Sequence, residues 1–143
     1  MNKKVTLFAY IVVVLGLFAL TGCGAKGMQF AEFKKPQEGK GLIYIYRPES
    51  FIGGGIYYDV HAQGKVLGTL RNGGYFSAYV EPGEVEFWAK TEAKSSVYIE
   101  VKSNQMYCIR GGISMGLMIG RAELNVTNAL TCKNEILATQ YSE

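Results

Sequence analysis

Soft metal ligands and catalytic bases are scarce in this chain. It holds a single histidine, His61, and three cysteines, Cys23, Cys108 and Cys132. No two of the cysteines are spaced as Cys-x-x-Cys, and one imidazole adds only one further soft ligand, so a zinc site lacks a ligand set. Nucleophilic or acid–base catalysis needs two groups held in register, and no motif pairs His61 with a serine, a cysteine or a carboxylate. The glycine-rich stretch from Arg110 to Arg121 has no Gly-Lys-Ser/Thr end and no strand-to-helix context, which excludes a phosphate loop. We therefore expect no catalytic residue, no metal and no cofactor.

Long apolar runs are also few: one is present, and it stands at the start. Lys3 and Lys4 precede a charge-free stretch from Val5 to Leu20, which ends in the small residues Thr21 and Gly22. A charged n-region, an apolar h-region and a small-residue end describe a secretory signal peptide over residues 1–22. The run falls short of the roughly 20 residues a spanning helix needs. Leu20-Thr21-Gly22-Cys23 resembles the lipobox of bacterial lipoproteins. That resemblance implies a diacylglycerol on the Cys23 thiol, cleavage just before it, and fatty acylation of the freed amino group. One acyl chain binds a bilayer only marginally at about 0.8 kcal/mol per methylene, whereas two or more anchor firmly. Cys23 is expected to be the lipidated anchor.

Without the leader, 143 less 22 leaves 121 residues, enough for one domain with a core and too few for two. Two of the 15 basic residues lie in the leader, so 13 remain against 12 acidic ones. No basic stripe points to nucleic acid. In an oxidising exported compartment Cys108 and Cys132, which 132 less 108 puts 24 positions apart, form either a disulfide or two separately buried thiols.

Residues 23–40 read as a lipid anchor and flexible tether, rich in Gly and Lys, with Met28, Phe30 and Phe33 able to dock part of it. Residues 41–143 carry short β-rich runs: Leu42 to Arg47, Ile56 to Ala62, Val66 to Leu70, Tyr75 to Val80, Val85 to Thr91, Val97 to Lys102, Met106 to Ile113 and Leu117 to Val126. Between them stand Gln63-Gly64-Lys65, Asn72-Gly73-Gly74, Glu81-Pro82-Gly83 and Ser103-Asn104-Gln105, residue types expected of hairpin turns. The spacing predicts an all-β fold, a single antiparallel β-sandwich of about eight short strands. Val97, Ile99 and Val101 alternate with Tyr98, Glu100 and Lys102, as in a half-buried strand. Leu42 to Tyr46 is apolar on both faces and is expected at the centre of a sheet. A short C-terminal helix capped by Asn128 follows, and a Cys108–Cys132 bond would clamp it to the sheet.

The stretches IYIYRPESFIGGGIYYDV, LGTLRNGGYFSAYVEPGE and YCIRGGISMGLMIGRAEL together resemble a family of bacterial lipoproteins described as domain of unknown function 2846, over about residues 40 to 137. The middle stretch is also similar to PEGA-type β-sandwich modules, small exported domains usually taken as interaction modules. Neither resemblance carries a reaction or a functional residue.

The candidate interaction surface is aromatic and apolar: Tyr57, Tyr58, Tyr75, Met115, Leu117 and Met118. Adjacent aromatics on a strand point to opposite faces, so some of these rings face outward unless both faces are covered. Cross-strand pairing is the plainer reading of the tyrosines, and a buried hairpin that of the glycine-rich stretch. Asn125-Val126-Thr127 is also an Asn-x-Thr acceptor, a minor signal. The reading that fits best is a non-enzymatic, lipid-anchored interaction or structural module of the bacterial cell envelope, expected in the outer membrane facing the periplasm, with an envelope protein or peptidoglycan as partner. The alternative is a peptidoglycan- or carbohydrate-binding lipoprotein that uses exposed tyrosines, with a hydrolase third.

Overall fold

A computed structural model describes residues 23–142. The expected signal peptide, residues 1–22, lies outside the described residues. Among the described residues nine strands form two facing sheets: β1 Gly41–Tyr46, β2 Tyr58–Ala62, β3 Lys65–Leu70, β4 Gly74–Val80, β5 Gly83–Lys90, β6 Lys94–Val101, β7 Met106–Ser114, β8 Arg121–Thr127 and β9 Gln140–Tyr141. The helix α1, Ala129–Ile136, lies between β8 and β9, and the Asn128 side chain accepts from the Thr131 backbone N–H at 2.9 Å to cap it.

The first sheet has the order β8-β7-β1-β4-β9 and the second β3-β2-β5-β6. β1 is buried along its whole length because it packs two cores. Ile43 and Ile45 point between the sheets, toward Val60, Phe87 and Ile109. Leu42, Tyr44 and Tyr46 point the other way, against Phe30, Cys132 and Ile136. On β5, Val85, Phe87 and Ala89 turn inward and alternate with Glu84 and Glu86.

The first sheet is mixed rather than antiparallel. β1 pairs in parallel with β7, from Leu42↔Met106 to Tyr46↔Arg110, and β4 pairs in parallel with β9. The reason lies in the turns. Gln63 and Gly64, both at positive φ, close the β2–β3 hairpin in the left-handed backbone conformation such two-residue loops require. The turns at Asn72-Gly73, Glu81-Pro82 and Ser103-Asn104 are not hairpins, because at each the chain crosses from one sheet to the other. β7 thus enters beside β1 from the same end and runs the same way.

Two further departures shape the molecule. The strand expected from Leu117 begins only at Arg121, and Met115 to Gly120 form a loop. Gly120 sits at φ 132°, and a methyl there would stand 2.9 Å from Ile113 and Ile56 side-chain carbons, so this conformation and close approach need glycine. The expected tether is docked along much of its length. Ala25, Gly27 and Phe30 donate backbone N–H groups to Asn72, Tyr141 and Thr139 carbonyls at 2.9 to 3.1 Å, and Tyr141 donates to Met28. Phe30 is buried among Phe33, Tyr44 and Tyr75, with ring centroids 4.9 to 5.9 Å away.

Candidate functional site

β1 and β7 both finish at one end of the sandwich, and four connections meet there. Directly after β1, Arg47 is buried, and no carboxylate pairs with it among the described residues. Its Nη1 donates to the Ile56 carbonyl at 2.6 Å and its Nη2 to the Gly53 carbonyl at 2.7 Å. Burial lowers its pKa from the usual value, and the two carbonyl dipoles solvate the charge in place of water. The guanidinium thereby holds a β1–β2 loop whose apolar pair, Phe51 and Ile52, projects into solvent, Phe51 fully.

The β7–β8 loop is held in the same manner, by polar groups beneath it. The Leu117 N–H donates to both Glu92 carboxylate oxygens at 2.9 and 3.0 Å. Desolvation pushes the Glu92 pKa up, but hydrogen bonds from the Leu117, Met118 and Gly120 backbone outweigh it and hold the carboxyl below its usual range. Thr91 Oγ1 donates to the Gly120 carbonyl at 2.8 Å and accepts from the Ala122 N–H at 2.9 Å. Held at these backbone groups, the loop presents its side chains outward: Met115, Leu117 and Met118 are 84%, 87% and 91% exposed, and Ile119 is exposed beside them. The two loops abut, since methyls added at Gly53 and Gly120 would each meet the Ile113 side chain, at 2.6 and 2.9 Å.

Cys23 lies at this same end. Its neighbour but one, Ala25, is bonded to Asn72, and the Asn72 side chain exchanges two hydrogen bonds with the Ser50 backbone at 2.9 and 3.0 Å. A shallow hollow of about 870 Å³ results, walled by Cys23, Lys26, Phe51, Gly54 and Asn72 among others. The Cys23 thiol is free and exposed.

The sequence candidates divide accordingly. Met115, Leu117 and Met118 stand together on the exposed loop, not in a buried hairpin. Tyr57 is exposed, with the Arg71 guanidinium 4.6 Å above its ring. Tyr58 is not a surface residue. It points between the sheets, and its hydroxyl donates to the Gly112 and Glu123 carbonyls at 3.1 and 3.4 Å, with burial raising its pKa to about 12. Tyr75 is half-buried between Phe30 and Tyr141, because the docked N-terminal segment covers that face. Cys108 and Cys132 form a disulfide with Cα atoms 6.2 Å apart. His61 stacks flat on Trp88 at 3.9 Å, on the outward face of the second sheet. Among the described residues, no three His, Cys, Asp or Glu side chains group as metal ligands, and no helix is long and apolar enough to cross a membrane.

Sequence reasoning passed over Phe51, Ile52 and Ile119. The available signal was Phe51-Ile52 directly before three glycines, an apolar pair in a segment with no strand to bury it.

No curated protein and no solved structure matches the chain. A family model described as protein of unknown function (DUF2846) matches residues 37–122, which takes in β1 to β7 and both apolar loops. On that match, covering more than half of its length, the chain belongs to the DUF2846 family.

Proposed function

We propose that this is a lipid-anchored, non-enzymatic interaction or structural module of the bacterial cell envelope, attached through lipid on Cys23 and working through the apolar end of its sandwich. The observation that carries the reading is the Leu-Thr-Gly-Cys sequence ending the leader, with an exposed Cys23 at the end of the sandwich that bears two exposed apolar loops. Acylation requires an accessible thiol, and outward-facing apolar groups of this number on one end mark a contact surface. The outer membrane, facing the periplasm, is the proposed location. A sugar-binding role comes second: it needs coplanar exposed rings, and of Tyr57, Tyr58 and Tyr75 only Tyr57 is exposed, its face under Arg71.

The test is labelled fatty-acid incorporation in cells producing the wild-type or the Cys23→Ser chain. Label in the wild type, lost in the variant together with cleavage before residue 23, supports the reading. Equal labelling of both, or none in either, removes it.

A further inference from the structure

We propose that the apolar end of the sandwich inserts into the surface of the same membrane leaflet that carries the Cys23 lipid, so that the domain lies docked on the bilayer and is not held away on a stalk. The inference rests on the lipid-anchor reading of Cys23 and names the partner of that anchored surface.

Its first support is the path of the N-terminal segment. Residues expected to form a tether are bonded to the domain from Ala25 onward. Two residues span at most about 7 Å, so an acylated Cys23 brings the Asn72 turn and its neighbours down to the lipid headgroups. The segment also runs in one direction, from Cys23 at the apolar end to Lys40 at the other, where β1 begins.

Its second support is the contrast between the two ends. At the Cys23 end stand Phe51, which shares the hollow with Cys23, and Ile52, Met115, Leu117, Met118 and Ile119, all exposed. The opposite end is built from Gln63-Gly64, Glu81-Pro82 and Ser103-Asn104, with Gln63 hydrogen-bonded to the Glu81 backbone and Lys40 paired to the Glu81 carboxylate. A surface for water and a surface for hydrocarbon thus occupy opposite poles, and the anchor is at the apolar one.

Its third support is the backbone of the tip. An apolar medium offers no hydrogen bonds, so inserted loops must satisfy their polar groups internally. Arg47 does this for the Gly53 and Ile56 carbonyls, Glu92 for the Leu117 N–H and Thr91 for the Gly120 carbonyl. Interfacial insertion reaches about 5–10 Å, the depth of such side chains. Lys26, beside Cys23, suits the anionic phosphate level just above.

The experiment uses the full mature protein purified from membranes, its Cys23 modification weighed by mass spectrometry, and reconstituted into phosphatidylethanolamine/phosphatidylglycerol vesicles with or without acyl-brominated lipid. Leu117→Trp and Phe51→Trp are each read in a Trp88→Phe background, with wild-type Trp88 as the reference. In parallel, the unsubstituted protein is footprinted for oxidation of Met115 and Met118 against a Cys23→Ser chain produced without residues 1–22 and free in solution. The expected result is acylated Cys23, bromine quenching and a blue shift of the introduced indoles, an unquenched Trp88, and loss of methionine oxidation on vesicles. Acylated Cys23 with unquenched indoles and unprotected methionines overturns the inference and leaves the anchor standing. Protection without bromine quenching overturns it in favour of a second copy or a protein partner. Absence of acyl groups on Cys23 overturns both readings.

Discussion

Arg47 and Tyr58 show how single side chains set this fold's energetics. Arg47 is a buried cation whose two donors both go to one loop's carbonyls. Arg47→Met keeps the length and apolar stem but takes the donor from the Ile56 carbonyl and leaves the Gly53 carbonyl only the Ile56 backbone N–H. Each hydrogen bond to a charged group contributes roughly 1.5–3 kcal/mol, partly offset by the desolvation of the guanidinium, so the expected loss is about 2–4 kcal/mol in urea unfolding. An unchanged midpoint would mean that water replaces the guanidinium. Tyr58, with its pKa pushed up to about 12, makes stability depend on alkaline pH. The unfolded phenol ionises near 10, so above that pH the folded state binds more protons than the unfolded one and stability must fall as pH rises. The contribution is whole below about pH 10 and is lost by about pH 12, on the order of 2–3 kcal/mol. Tyr46, also raised, by burial and then by its bond to Glu135, acts in the same direction. Tyr58→Phe should therefore narrow the gap between urea midpoints measured near pH 9 and near pH 11.5, and an unchanged gap would assign the alkaline loss to other groups.

Among the elements, α1 and the N-terminal segment depend on long-range ties. The helix has eight residues, too few to be stable alone in water. It is fixed to the first sheet by the Cys108–Cys132 disulfide and by Glu135, whose Oε2 accepts from Tyr46 Oη at 2.7 Å and from Arg110 Nε at 2.9 Å. Opening a loop of 24 positions restores chain entropy, so the paired Cys108→Ala and Cys132→Ala substitutions should cost about 3–4 kcal/mol. Chemical unfolding of the wild type with and without reductant checks the same value. The N-terminal segment depends on Phe30. Truncating a buried phenylalanine costs about 3–5 kcal/mol, more than a few edge hydrogen bonds return. Phe30→Ala should release residues 25–30 while the sandwich persists. Hydrogen exchange at the Gly27 and Phe30 amides reports it: protection retained in the variant would show that the backbone bonds suffice.

For the molecule as a whole, the division between its ends matters more than its core. Leu117 and Met118 pack on nothing, so Leu117→Ser with Met118→Ser should leave stability within about 0.5 kcal/mol of the wild type, as for surface positions away from special features. The same pair should weaken whatever contact the apolar end makes. A large fall in unfolding free energy would show that the loop packs inward in solution. Cooperative unfolding is expected, since the two cores share β1, and loss of either exposes the other.

How much of this was legible in the residues alone follows from what a β pattern encodes. Period-two alternation and turn residues fix where strands lie and which side chains share a face, which is why β1 to β7 fall within two or three residues of the runs read from the sequence, and why β1, apolar on both faces, is central. Asn128 likewise announces the helix it caps. Alternation does not encode partners. A turn at Asn72, Glu81 or Ser103 can close a hairpin or carry the chain to the facing sheet with the same residues, so the parallel pairing of β1 with β7 emerged only in the tertiary structure. Burial of Tyr58 and Tyr75 was equally hidden, because it depends on a second sheet and on an N-terminal segment packed from far away in sequence. The gathering of Cys23, Phe51 and Leu117 at one end is of this kind as well. Local propensity names each residue's element, but only the closure of contacts between distant segments decides which elements become neighbours, and with them which residues can act together.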